Sequence, residues 1–258
     1  MEQPKDEEVI TLPFADNQGI QIHYQVLGTG EPLIMQHGFF SSGEDWHEFG
    51  YVEKLREICK LILVDARGHG ASSKPHDPES YALENSATDI AAVLDALGLN
   101  AAHYLGYSMG GWIGFGMAKF APARLKNLII GGAQPYGKSF TNARKILGNG
   151  IDAWISEISQ WGPYSPEAIA RYRKNDAQAL LAAAQDRPDI SDILPTMTMP
   201  CFLYAGDADN EHAFIKQAAE ALPNATFSTI PDCNHIETFV HGHLVMPQLI
   251  DFLTCSDR

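Results

Sequence analysis

Hydrophobic positions recur along this chain with two periods. Val9–Phe14 and Ile20–Val26 alternate apolar and polar residues, and Asp16-Asn17-Gln18-Gly19 between them predicts a hairpin. Pro32–Gln36 and Leu61–Val64 are short apolar runs without alternation, the pattern of strands buried on both faces. A helical stretch, Trp46–Ile58, separates them. Leu83–Leu97 sets Ile90, Val93, Leu94 and Leu97 at helical spacing and stops at Gly98, a C-terminal cap signal. Strand His103–Tyr107, helix Met109–Phe120 and strand Leu125–Ile130 follow. Later come strand Cys201–Ala205, helix Glu211–Leu222, strand Thr226–Ile230 and a helix around Met246–Leu253. Strand and helix alternating on this scale predict an α/β protein with a mainly parallel sheet covered on both faces.

Residues 136–195 break that alternation. Ile151, Trp154, Ile155 and Ile158 fall at helical spacing, as do Ala177, Leu180, Leu181 and Ala184. Gly162-Pro163 and Ser165-Pro166 divide the segment into short helices. An all-helical insertion between two strands is expected to stand at the carboxyl end of the preceding strand, where open α/β sheets bind ligands. The expected organisation is a core of residues 1–135 and 196–258 carrying a helical cap of residues 136–195.

Composition narrows the function. The chain has 258 residues, 45% hydrophobic and 19% charged, enough apolar material for one large core. Its net charge of −14 argues against nucleic acid and anionic membrane surfaces as partners. The acidic excess lies outside the cap segment, which carries seven basic and seven acidic side chains. No apolar run approaches the roughly 18 residues of a membrane span. The polar, acidic start (Met-Glu-Gln-Pro-Lys-Asp-Glu-Glu) does not read as an export signal, so a cytoplasmic protein is expected. Cys59, Cys201, Cys233 and Cys255 form no C-x-x-C pair and no metal box with histidine. They read as reduced thiols, and neither metal nor cofactor is expected.

The chemistry concentrates at predicted strand ends. Gly106-Tyr107-Ser108-Met109-Gly110 joins a strand to a helix in a G-x-S-x-G pattern. Small residues two before and two after the serine allow a turn so tight that the serine oxygen stands above the sheet. The Met109 N–H then points at a developing oxyanion. His37-Gly38-Phe39-Phe40 ends another strand, where the Phe39 N–H is the expected second oxyanion donor and His37 braces the loop. Gly206-Asp207-Ala208-Asp209 and Asn234-His235 follow the last two strands. A serine nucleophile needs a base, and the base needs a carboxylate to fix its tautomer. Ser108, Asp209 and His235 supply these in the order Ser…Asp…His. His235 is preferred over His241, His243 and His69 because it follows the last strand in a short polar loop, whereas His69 is assigned a structural place in Gly68-His69-Gly70.

With these motifs in place the chain resembles α/β-hydrolase-fold proteins over roughly residues 9–254, including Asp65-Ala66-Arg67-Gly68-His69-Gly70-Ala71-Ser72 after the fourth strand. The resemblance implies a mostly parallel eight-stranded sheet with a small helical cap, of the serine esterase and lactonase kind. It favours Asp209, three residues after a strand-end glycine, over Asp207. Cys233 departs from the small residue common before the histidine and is read as packing. The expected activity is hydrolysis of a small-molecule carboxylic ester or lactone, macrolactones included, by a monomer or homodimer. Phe40, Tyr107, Trp154 and Trp161 are expected to touch the substrate, in a cap whose further aromatics Phe140, Tyr164 and Tyr172 suit an apolar acyl or ring group. Carbon–carbon bond hydrolysis, cofactor-free perhydrolysis and a receptor that retains the triad stay open. Haloalkane dehalogenase chemistry is disfavoured, since it places an aspartate where Ser108 stands.

Overall fold

A computed structural model describes residues 13–255. Eight strands form one sheet: β1 (Phe14–Asn17), β2 (Ile20–Leu27), β3 (Glu31–Gln36), β4 (Cys59–Val64), β5 (Ala102–Tyr107), β6 (Leu125–Gly131), β7 (Cys201–Gly206) and β8 (Ala225–Ile230). Their spatial order is β1-β2-β4-β3-β5-β6-β7-β8. β1 and β2 pair antiparallel, as do β2 and β4, and every later pairing is parallel.

The unalternating runs explain the parallel centre. In β3, Leu33 and Met35 pack into one apolar cluster while Ile34 packs into another, so both faces of the strand are dry. Helices α3 (Leu83–Ala96), α4 (Met109–Phe120) and α9 (His212–Ala221) cover the Ile34 face through residues such as Val93, Phe115 and Ile215. Short helices α1 (Glu44–Glu48) and α2 (Tyr51–Leu55) cover the other face with α11 (Met246–Cys255), through Trp46, Leu55 and Leu249.

Two expectations shift locally. Of the strand expected over Val9–Phe14, residues 9–12 lie outside the described ones, and the observed strand starts at Phe14. Asp16 and Asn17, expected in the turn, are in β1. Asn17 faces Ile20, leaving the two-residue loop Gln18-Gly19 with φ of 55° and 88°, both left-handed as a tight hairpin requires. The helix expected over Trp46–Ile58 is instead two single-turn helices, because Gly50 takes φ 79° between them.

Between β6 and β7 the chain forms α5 (Thr141–Leu147), α6 (Ile151–Ile158), α7 (Pro166–Tyr172) and α8 (Ala177–Ala183). Their apolar residues Leu147, Ile155, Ala168 and Leu180 form a third cluster together with Phe40 of the core. The amphipathic stripes of the cap therefore close on the loop after β3. Cys59, Cys201 and Cys233 are buried and form no disulfide among the described residues. No described helix is long and apolar enough to cross a membrane.

Candidate active site

The sequence Gly-Tyr-Ser-Met-Gly forces a sharp elbow between β5 and α4. Ser108 sits at φ 53°, ψ −108°, a backbone conformation costing about 1–3 kcal/mol for a non-glycine residue. A Cβ at Gly106 would stand 2.3 Å from the Gly110 carbonyl oxygen. One at Gly110 would stand 2.0 Å from the Gln36 carbonyl oxygen. Only glycine at both positions lets the elbow close against the end of β3.

Three segments that follow β5, β7 and β8 then meet. His235 Nε2 lies 3.0 Å from Ser108 Oγ, and His235 Nδ1 lies 2.7 Å from Asp209 Oδ2. Asp209 also accepts the Glu211 N–H at 2.9 Å and is buried. Burial alone pushes its carboxyl pKa up, but the hydrogen bond and charge of His235 and the Glu211 N–H outweigh burial, holding it below the ordinary carboxylate value. Asp207 is exposed and bonds neither partner. Gly132 leaves room for the imidazole, since a Cβ there would come within 2.9 Å of His235 Cε1.

His235 is not in a loop, as its polar surroundings suggested. It opens helix α10 (His235–Val240), because Asn234 accepts from the Ile236 and Glu237 N–H groups and Glu237 accepts the Asn234 N–H in return. This reciprocal cap fixes the backbone that carries the ring. The Tyr107 hydroxyl donates to the His235 carbonyl at 2.5 Å. Tyr107 borders the cavity, but its polar end is committed to His235. Cys233 is buried, and its carbonyl accepts the Ala208 N–H at 3.1 Å, tying the Asp209 loop to the turn that leads into α10.

His37 donates from Nδ1 to the Gly38 carbonyl at 2.7 Å. Its Nε2 faces the Ala66 N–H at 3.0 Å and must therefore accept, which fixes the tautomer and makes His37 a brace. His69 donates to the Arg67 carbonyl at 3.0 Å. Both are fully buried, which pulls their pKa values down, that of His69 to about 3. His241 and His243 stand together beyond α10. The Gly38 backbone passes within contact of Ser108, a Cβ there lying 3.5 Å from the serine Cβ. Among the described residues neither the Phe39 nor the Met109 N–H meets a protein acceptor.

Ser108 and His235 border a cavity of about 370 Å³ roofed by the cap. Phe40, Tyr107, Trp154 and Trp161 all border it, as do Phe140 and Tyr164. Trp154 meets Phe39 edge-on at 5.7 Å, whereas Trp161 is 44% exposed at the rim.

The cap also carries a clamp that the sequence reading missed. Asp45 is completely buried and accepts from Ser41 Oγ at 2.5 Å, Tyr172 Oη at 2.7 Å and Arg171 Nη2 at 2.7 Å. Arg171 also bonds Glu48, and Asn175 donates to the Phe40 carbonyl. Cap residues thus hold the loop that carries Phe39. Ser41 apart, the partners of Asp45 lie over 120 residues away in the cap, so no local window shows the clamp.

The model of the alpha/beta hydrolase fold family matches residues 31–169. The chain belongs to this family. As a member it is a hydrolase, and its relatives differ in substrate. It is 25% identical, over 91% of its length and 92% of theirs, to the 2-hydroxy-6-oxononadienedioate/2-hydroxy-6-oxononatrienedioate hydrolase 2 of Pseudomonas putida. The enol-lactonase of Burkholderia xenovorans superposes with a TM-score of 0.84 at 20% identity, over 94% of this chain and 100% of that one. An esterase from Thermogutta terrifontis superposes at 0.83 and 23% identity, over 95% and 99%. At these identities the two structures speak for the fold. Among the described residues no group of three histidine, cysteine or acidic side chains could hold a metal ion.

Proposed function

We propose that this hydrolase is a serine enzyme cleaving carboxylic esters or lactones through an acyl-enzyme on Ser108. The observation that carries this reading is the contact sequence Asp209–His235–Ser108, at 2.7 and 3.0 Å, opening into the cap-covered cavity. His235 Nε2 takes the hydroxyl proton as Ser108 Oγ attacks the carbonyl carbon. Asp209 holds the Nδ1–H tautomer and stabilises the imidazolium. The negative oxygen of the tetrahedral intermediate is received by the Phe39 and Met109 N–H groups, each such donor contributing about 2.7–4 kcal/mol in comparable enzymes. His235 returns the proton to the leaving alkoxide, which in a lactone stays tethered to the acyl group. Water, deprotonated by His235, then releases the acid.

The mainly aromatic and aliphatic wall suits an acyl chain or ring of moderate size. A panel of esters and lactones read by acid release tests this. Turnover of at least one class, lost in Ser108→Ala, is the expected result. The Pseudomonas putida relative favours a second reading, carbon–carbon bond hydrolysis of a 2-hydroxy-6-oxo dienoate by the same triad. Bleaching of such a chromophore with no ester turnover would select it.

A further inference from the structure

The wall of the cavity is not apolar throughout. Where the chain enters and leaves the cap, Lys138 and Arg187 pair main chain to main chain, at 3.0 and 2.8 Å. Both residues border the cavity, and Arg187 also borders a smaller one beside Trp112 and Phe140. Lys138 is neutralised: its Nζ lies 3.2 Å from Glu211, whose other oxygen accepts from Gln134 Nε2 at 2.8 Å. Arg187 is not. Its guanidinium lies over the ring of Phe140 at 4.7 Å and that of Trp112 at 5.4 Å, and it makes no hydrogen bond or ion pair with any described residue. Burial lowers its pKa to about 10 against the opposing pull of Glu211, so it stays charged at neutral pH.

Stacked rings cover the faces of a guanidinium and leave its N–H edge, five donors in one plane. Arg187 is half-buried, and an N–H edge that meets no protein acceptor is open to a bound anion. The planar fork matches a carboxylate, which it bonds in two places. With Lys138 already matched by Glu211, Arg187 is the lining cation left to meet an anion, and the carboxylates of Glu157 and Asp209 in the same lining weigh against a second negative charge, so a single carboxylate fits better than a phosphate dianion. Resting on the serine-hydrolase reading above, we propose that Arg187 is a carboxylate-binding residue and that the preferred substrate is a monoanion, an ester or lactone bearing a carboxylate that docks on Arg187 while its carbonyl faces Ser108.

The carboxylate sits on either the acyl or the alcohol part, and two substrate pairs separate these. One pair is the mono-4-nitrophenyl ester of glutaric acid against neutral 4-nitrophenyl pentanoate. The other is 4-acetoxybenzoate against its methyl ester. In Arg187→Gln the anionic-to-neutral ratio of kcat/KM is expected to fall about 10- to 100-fold in one pair, the scale of a lost charged hydrogen bond. Arg187→Lys should recover part of it. A fall below fivefold in both pairs overturns the proposal and leaves the serine-hydrolase reading intact. Wild-type protein inert on all four esters defeats that underlying reading instead. Should Arg187→Gln not fold, wild-type protein carries the test. Free pentanoate is expected to inhibit neutral-ester hydrolysis at least fivefold more strongly than pentanamide, and a smaller difference overturns the proposal.

Discussion

Asn175, in the cap between α7 and α8, donates from Nδ2 to the main-chain carbonyl of Phe40 at 2.9 Å, across 135 residues of sequence. Phe40 sits at φ 74°, a left-handed conformation that a bulky aromatic residue seldom adopts. It immediately follows Phe39, whose N–H is the proposed oxyanion donor. The cap thereby helps to hold a strained turn beside the nucleophile. Asn175→Ala is expected to lower kcat about 10-fold even on a minimal acetate ester, as misplaced catalytic groups do. Steady-state kinetics with a melting curve checks it. An unchanged kcat with a lowered melting temperature would reduce Asn175 to packing.

Asp209→Asn is expected to cost about 10³- to 10⁴-fold in kcat, because asparagine stabilises the wrong imidazole tautomer. Asp207→Asn should cost little, since Asp207 is exposed and outside the relay. Kinetics of the two variants on one ester decides between them. A reversed ranking would make Asp207 the acid.

Trp154 and Trp161 both border the cavity, but only Trp154 is wedged against Phe39 and Phe40. Trp154→Ala is expected to change the kcat/KM ratio between bulky and small esters by about 10-fold. Trp161→Ala, at the half-exposed rim, should change it less. Equal losses on all substrates would assign both tryptophans to packing.

Acid should destabilise the fold in a defined window. Burial holds the folded-state pKa of His69 at about 3, against an ordinary 6.5. The unfolded chain therefore binds a proton that the folded chain refuses. Stability is complete above pH 6.5 and declines as pH falls towards 3, by about 1.4 kcal/mol per pH unit for one such group. His37 acts in the same direction. His69→Asn keeps a donor for the Arg67 carbonyl and should flatten the decline by one group's share. Urea unfolding of both proteins between pH 7 and 4.5 measures it, and identical slopes would exonerate His69.

The relay was legible in the sequence because its members stand at strand ends, where residue type and chain order carry the signal. The sheet's centre was legible because β3 to β7 are apolar on both faces. The α10 cap was also written locally, as Asn234-His235-Ile236-Glu237, yet the polar run concealed it. The break at Gly50 and the two-residue turn at Gln18-Gly19 depend on left-handed backbone, which hydrophobic period does not report. The cap side of the Asp45 clamp and the rings that surround Arg187 lie more than 40 residues from the groups they meet, so no local window contains them.

The most direct measurement of the central claim is intact-protein mass spectrometry during turnover of a slowly deacylating 4-nitrophenyl ester, followed by peptide mapping. A burst of nitrophenol of about one equivalent, with the acyl mass on the peptide containing Ser108 and absent from Ser108→Ala, is the expected result. Turnover that persists in Ser108→Ala above a tenth of the wild-type rate, or an acyl group on another residue, would contradict it.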